Sequence, residues 1–390
     1  MTIPIPAEDP RHLPNRAVID PSAITQNTRT LTGLLEEHTA LMAVVKADGY
    51  GHGMLSAARA AVEGGATWLG VAHPASALAL SRAGFEVPIL TWLYEPETAE
   101  AMMHEVIAAG IDVSVGSRAM LELVSRAART ADRRARVHLK IDTGMGRGGV
   151  MPHDLRALAA AAQEDDVIQI VAAWTHLTSA DDPADPATDQ QVEIFDSSVE
   201  ALEDEVGPVP LQHLANSAAL LTRPDLHRDI VRPGIALYGC PPVTTDVQLR
   251  PAMTLTSRLA MVKEVPAGQS VGYGRTYRTE TPTRLGLVPI GYADGLHRSA
   301  SGGVDVVVRT ASGDRRARQV GRISMDQIVL DLGPDSSARA GDRVFLFGDA
   351  KGAPNDPAAP TAEDWARAAG TIPYEVLTSV SGRVSREVRA

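Results

Sequence analysis

The 390-residue sequence contains one cysteine, four phenylalanines and an aromatic fraction of 4%. A single thiol, Cys240, allows no internal disulfide, so packing and hydrogen bonds must hold the fold, as suits a reducing compartment. Cys240 follows an apolar run in ALYGCPP and reads as inert packing. Basic residues are also short: 37 Lys and Arg stand against 48 Asp and Glu, a formal net charge of -11. Binding a phosphate backbone needs a basic face, so nucleic acid is not an expected partner. No apolar run approaches the roughly 18 residues of a membrane span. The opening MTIPIPAEDPRHLPNR carries prolines and charges where a signal peptide would be apolar. Residues 1–15 read as a loose arm on a protein expected in the cytoplasm, without a membrane partner or a metal.

Short β-branched or apolar runs recur along the first part of the chain: LMAVVKA (41–47), TWLGVA (67–72), VPILTWLY (87–94), IDVSVG (111–116), RVHLKID (136–142), IQIVAAWTH (168–176), LQHLAN (211–216) and IVRPGIALYG (230–239). Between most of them lie alanine- and leucine-rich stretches with helical spacing. Gly64, Gly84 and Gly110 sit where left-handed helix caps would. Continuous apolar strands alternating with helices mean a parallel sheet covered by helices. The expectation is a (β/α)8 TIM-type barrel over residues 16–250, with a doubly wound open sheet as the alternative. The gap 217–229 is short for a full helix, so barrel closure is inferred. From Pro251 strand runs alternate with turns, which predicts a C-terminal mostly β domain over 251–390. It includes one helix over 361–370 capped by Thr361, with Asp364 three residues on. The Pro-rich KGAPNDPAAP (351–360) reads as a surface loop.

Function in such a barrel gathers at the C-terminal ends of the strands. Lys46, His176, Asn216 with Ser217, Arg232 and the turn DTGMGRGG all fall there. Each alone has a bland explanation: a solvated rim lysine, a core histidine, an arginine paired with a surface acid. Together they suggest chemistry. A lysine in apolar surroundings loses solvation of its ammonium form, and its lowered pKa makes it an amine nucleophile. The glycines of AVVKADGYGHG (43–53) would leave room for a large partner. Backbone N–H groups near Gly234 and Ile235, with the Ser217 hydroxyl, suit a phosphate. A nucleophilic lysine beside a phosphate cradle points to pyridoxal phosphate.

These segments, with PAMTLTSRL (251–259), VGYGRTY (271–277), PIGYADG (289–295), VGRISMDQ (320–327) and GTIPYE (370–375), resemble the alanine racemases, fold-type III pyridoxal-phosphate enzymes. The resemblance runs from about Arg16 to the C-terminus. It implies that Lys46 carries the cofactor and serves as one catalytic base, with Tyr273 as the other. Tyr50, Ser217, Gly234, Ile235 and Tyr374 match phosphate contacts, and Asn216 matches a neighbouring position. His176 packs against the pyridine ring, and Arg232 faces its nitrogen. Arg147 and the Met325 backbone match binders of the substrate carboxylate, and Tyr292 lines the entry. Lys140 matches a position that is often carbamylated and holds Arg147. The family is a head-to-tail homodimer with shared sites, which interconverts L- and D-alanine and supplies D-alanine for peptidoglycan. Ala75, Ser76 and Ser324 depart from the commonest family pattern, as does ADGYGHG in place of ANAYGHG.

An acting tyrosine base must lie below its usual pKa of ~10, and His176 and Arg232 are the candidate cations. The rival readings are a racemase of the same fold for serine, lysine or arginine, a fold-type III decarboxylase, and a non-catalytic pyridoxal-phosphate carrier. A separate rival is a nucleotide-dependent enzyme using GMGRGG (144–149), although that motif normally opens the first βαβ unit.

Overall fold

The computed structural model describes residues 14–350 and 357–389. Most of the N-terminal arm, residues 1–13, and residues 351–356 of the Pro-rich segment lie outside them. The chain divides into two compact units, one comprising Ile24–Gly49 and Gly53–Arg250 and the other Met1–Ala23, Tyr50–His52 and Pro251–Ala390. This moves the expected boundary at residue 16. The first strand, β1 (Arg16–Ile19), does not begin the barrel but lies between two strands of the C-terminal sheet, antiparallel to Met253–Arg258 and parallel to Ser385–Val388.

The first unit is the eight-stranded barrel: β2 (Ala40–Val44), β3 (Trp68–Val71), β4 (Ile89–Thr91), β5 (Asp112–Val115), β6 (Ala135–Lys140), β7 (Ile168–Trp174), β8 (Leu211–His213) and β9 (Ile230–Val231). Every ladder is parallel, and β9 returns to pair with β2. A doubly wound sheet would reverse its strand order, and this one does not. β3, β4 and β5 are buried along their whole length, because helices cover one face and interior side chains fill the other. Met42, Trp68, Leu90 and Ile230 pack together in one buried cluster. Three covering helices begin on proline, at Pro74, Pro96 and Pro152. Its fixed φ suits a first helical residue, whose N–H has no intrahelical acceptor.

The seam between β8 and β9 closes despite the short crossover. Asp229 N donates to Gln212 O at 3.2 Å and Arg232 N to Ala215 O at 2.9 Å. The Asp229 carboxylate accepts from Gln212 N at 2.7 Å. The crossover makes do with a six-residue helix, Ser217–Thr222, and a 3-10 turn, Pro224–Leu226. One expected cap differs. Gly84 and Gly110 are left-handed, but Gly64 is right-handed and Gly65 carries the positive φ. Gly64 is required by close packing instead: a Cβ there would stand 2.5 Å from Thr28 Cβ.

The second unit is a nine-stranded sheet built from β1, β10 (Met253–Arg258), β11 (Met261–Val265), β14 (Thr283–Val288), β15 (Asp305–Thr310), β16 (Gly313–Val320), β17 (Ile328–Asp331), β18 (Arg343–Phe347) and β19 (Ser385–Val388). A separate ribbon pairs β12 (Ser270–Val271) with β13 (Tyr277–Arg278). The helix Ala362–Ala369 has the expected capping box, with Thr361 Oγ1 accepting from Asp364 N at 3.1 Å and Asp364 Oδ2 accepting from Thr361 N at 2.8 Å. A second helix, Pro373–Ser379, was not anticipated. Among the described residues no helix is long and apolar enough to cross a membrane.

Candidate active site

Lys46 follows β2, and the chain then turns in the left-handed sense. Ala47, Asp48, Gly49 and Tyr50 have φ of 52°, 54°, 61° and 53°. Left-handed backbone costs a non-glycine residue about 1–2 kcal/mol, and such strain tends to gather at functional sites. Asp48 secures the turn, its carbonyl accepting from Gly53 N and its Oδ1 from Met54 N, both at 2.8 Å. The glycines do not simply leave room. A Cβ on Gly49 would stand 3.0 Å from Ala57 Cβ, and one on Gly51, in the second unit, 2.8 Å from Leu377 O. They permit close packing; Gly53 alone has open space around it.

Four cations gather at the barrel mouth. Lys46 is depressed by burial, then by Arg147 and Arg232; its Nζ lies 6.0 Å from the Trp92 ring centre. Lys140 ends β6 with its Nζ 4.7 Å from the Trp174 ring centre. Burial, Arg147 and Arg232 bring its pKa down to about 8, with Asp142 opposing and Lys46 adding. Arg232 is buried and brought down to about 9 by burial, which still leaves it charged at neutral pH. Its donors meet neutral acceptors: Nη2 gives to Thr175 O at 2.8 Å and Leu214 O at 3.1 Å, and Nη1 lies 3.1 Å from His213 Nδ1. Among the described residues no carboxylate pairs with Arg232. His176 Nδ1 is 3.3 Å from Arg232 Nη2. Burial, then Arg232, Arg147, Lys46 and Lys140, hold the imidazole well below its usual range. It is therefore neutral, and of the two expected cations only Arg232 carries charge.

The DTGMGRGG turn folds onto its own aspartate. Asp142 Oδ1 accepts from Gly144 N at 3.0 Å and Gly146 N at 3.1 Å. Burial raises Asp142, but the N–H groups of Gly144, Gly146, Met145 and Arg147 outweigh it and lower the pKa. The glycine motif's anion cradle is thus filled by the chain's own carboxylate, and the next helix starts only at Pro152. That removes the nucleotide reading. Across the mouth, Asn216 Oδ1 caps the helix Ser217–Thr222, accepting from Ala218 N and Ala219 N. Ser217 Oγ accepts from Gly234 N at 2.9 Å and Ala236 N at 3.4 Å, tying the cap to the turn containing Ile235.

The second unit presents the other expected residues. The Tyr50 and Tyr374 rings lie 6.0 Å apart, and burial, then Tyr374, raise Tyr50 so that it stays a phenol. Tyr273 is 69% exposed, Met325 53% and Tyr292 41%. Their loops adjoin: Tyr292 N donates to Ser324 O at 3.0 Å and Ala293 N to Met325 O at 2.9 Å, while Gly272 and Gly274, on either side of Tyr273, lie against Arg322.

The profile described as alanine racemase, N-terminal domain, matches residues 19–242, and that of the C-terminal domain matches residues 252–388. The chain belongs to the alanine racemase family. It is an isomerase of the amino-acid racemase type. It is 47% identical over 374 residues to an alanine racemase of Salinispora arenicola, covering 94% of this chain and 96% of that one. It is 47% identical over 379 residues to one of Thermobifida fusca, covering 95% and 96%. Among solved structures, alanine racemase from Streptomyces coelicolor superposes with a TM-score of 0.89 at 44% identity, covering 98% of this chain and 99% of that one.

Several residues around the site escaped sequence reading. Gln191 ties two loops together, donating to Thr143 Oγ1 at 3.0 Å and His176 O at 3.1 Å and accepting from Thr178 N at 2.8 Å. It lies on a covering helix, and nothing in its spacing marks it. His138 and His213 sit inside the barrel, His138 edge-on to Trp68 and His213 stacked on Trp174. A signal for His138 existed: it lies two residues before Lys140 on a strand and so shares its face.

Proposed function

We propose that the protein interconverts L- and D-alanine with pyridoxal phosphate and supplies D-alanine for peptidoglycan. The observation that carries this reading is Lys46: an amine at the end of a barrel strand, depressed by burial, Arg147 and Arg232. The donor set fits the cofactor, since a cluster of cations with one engaged carboxylate, Asp142, suits a phosphate and a substrate carboxylate. Ser217 and the backbone N–H groups around Gly234 and Ile235 would hold the phosphate, with Asn216 fixing the Ser217 turn, and the Tyr50 and Tyr374 hydroxyls match phosphate contacts of the family. His176 would pack against the ring and Arg232 face its nitrogen. Bound there, the group would supply the electron sink that acidifies the substrate Cα–H.

The chain's own residues do the proton work. Lys46 serves the D-alanine face, and Tyr273 of the partner subunit serves the L-alanine face. Arg147 and the Met325 backbone hold the substrate carboxylate, and Tyr292 narrows the entry. Lys140, as a carbamate, would hold Arg147. Arg232 offers donors only and gives the ring nitrogen no full proton, which restrains side reactions. The exposed Tyr273, Met325 and Tyr292 suit burial against a second copy. A pocket sized for a methyl group separates alanine from a larger amino acid by only about 1–3 kcal/mol per methylene or two. Chiral chromatography of L-alanine, L-serine, L-lysine and L-arginine, each incubated with protein and pyridoxal phosphate, tests the reading. D-Alanine should accumulate fastest; a faster turnover of another amino acid, or no D-product, contradicts it.

A further inference from the structure

Below Arg232 the barrel interior holds a line of polar groups where apolar filling would be the norm. Arg136 gives Nε and Nη2 to the two oxygens of Asp112 at 2.8 and 3.2 Å. Asp112 Oδ2 lies 3.0 Å from His138 Nε2, and His138 Nδ1 lies 2.9 Å from His213 Nε2. His213 Nδ1 then meets Arg232 Nη1 at 3.1 Å. Asp112 opens β5, His138 lies near the end of β6, His213 ends β8 and Arg232 follows β9, so the line climbs from the N-terminal end of the barrel to its mouth. Asp112, His138 and His213 are at most 1% exposed, whereas the Arg136 side chain is 38% exposed.

Donor counting fixes the protons. A guanidinium only donates, so His213 Nδ1 must accept. The one proton of neutral His213 is then on Nε2 and is given to His138 Nδ1. The proton of His138 is therefore on its own Nε2 and is given to the Asp112 carboxylate, which also accepts from Arg136. Burial, then Arg232 and His138, hold His213 well below its usual range, consistent with a neutral ring. Trp174 stacks on His213 at 5.4 Å and 14° and is itself held by its Nε1–H to Ser114 Oγ at 3.0 Å. Trp68 meets His138 edge-on at 5.7 Å. Both imidazoles are thus packed against an indole.

The geometry points to Asp112 and His138 as positioning residues that lock His213 in its Nε2–H form, so that its Nδ1 lone pair aims Arg232. This rests on the reading above in which Arg232 faces the pyridine nitrogen, and it deepens that reading. An amide in place of Asp112 could offer His138 either a donor or an acceptor. Both tautomers could then reverse with the rings in place, turning a His213 Nδ1–H toward the Arg232 donor and opening their contact.

Nitrogen-15 NMR of histidine-labelled protein loaded with pyridoxal phosphate tests the lock. His138 and His213 should each show a bare Nδ1 and a protonated Nε2. Asp112→Asn should mix the tautomers and lower kcat for alanine about tenfold while KM holds, as loss of an outer-shell partner commonly does. A protonated Nδ1 on wild-type His213 overturns the proposal without recourse to any variant. So does an Asp112→Asn protein whose nitrogen pattern and kcat match wild type while only its Tm drops, which would make Asp112 a structural partner of Arg136. The wild-type pattern is read without turnover, so its failure is separate from failure of the racemase reading. A locked pattern in a protein that racemises nothing would remove Arg232 from cofactor chemistry and, with it, the use assigned to the lock.

Discussion

Arg232 Nη2 stands 3.3 Å from His176 Nδ1, and the guanidinium helps to keep that imidazole neutral. Burial is the larger cause, with Arg232 next. Because the folded pKa lies below the unfolded one, the unfolded chain binds more protons once the pH falls below about 6.5. Stability is therefore fully present above that pH and is lost as the pH falls toward the folded value. Tm should drop between pH 7 and 5. His176→Gln should flatten the slope by up to about 1.4 kcal/mol per pH unit. An unchanged slope contradicts a depressed His176.

Lys140, near a pKa of about 8, carries a fraction of free amine at neutral pH, which carbamylation requires. With labelled bicarbonate, a carbon-13 carbamate signal should grow as the pH rises through 8 and vanish in Lys140→Ala. That variant should raise KM for alanine about tenfold if it frees Arg147. No carbamate signal at any pH would leave Lys140 as a plain cation over Trp174.

Arg232→Glu replaces a donor with an acid that can protonate the ring nitrogen. Pyridoxamine phosphate should then accumulate during turnover with alanine and racemisation should fall, by about 100-fold or more if ring electrostatics dominate. Product ratios unchanged from wild type would show that Arg232 does not govern the reaction's course.

Away from the site, Thr361→Ala removes the cap oxygen that accepts from Asp364 N. It should cost about 1 kcal/mol of stability, read by urea denaturation, and leave turnover unchanged. A neutral effect would mean that Asp364 alone secures the helix start.

The barrel strands were legible as short apolar or β-branched runs, most plainly β3, β4 and β5, which are buried along their whole length. The alternation of turns and strands after Pro251 was equally plain. β1 was misplaced because RAVI carries no mark of which sheet it will join; that depends on β10 and β19, more than 200 residues away. The candidate site was legible in so far as its residues sit at strand ends. The buried line from Asp112 to Arg232 was not, because its members are single polar residues on four separate strands or strand ends. Only barrel closure brings them to hydrogen-bonding distance. The neutral state of His176 was equally hidden, since it depends on four cations assembled from distant segments.

Shared sites can be tested by mixing two inactive variants. Lys46→Ala should lose the cofactor absorbance near ~420 nm, and Tyr273→Phe should keep it. Each should lose about 100-fold or more of racemase activity as a homodimer. After the two are mixed and allowed to exchange subunits, half the dimers would be mixed, each with one site holding both native groups. Activity should then return to about a quarter of wild type. Failure of the exchanged mixture to regain activity would contradict a site built from Lys46 of one chain and Tyr273 of another.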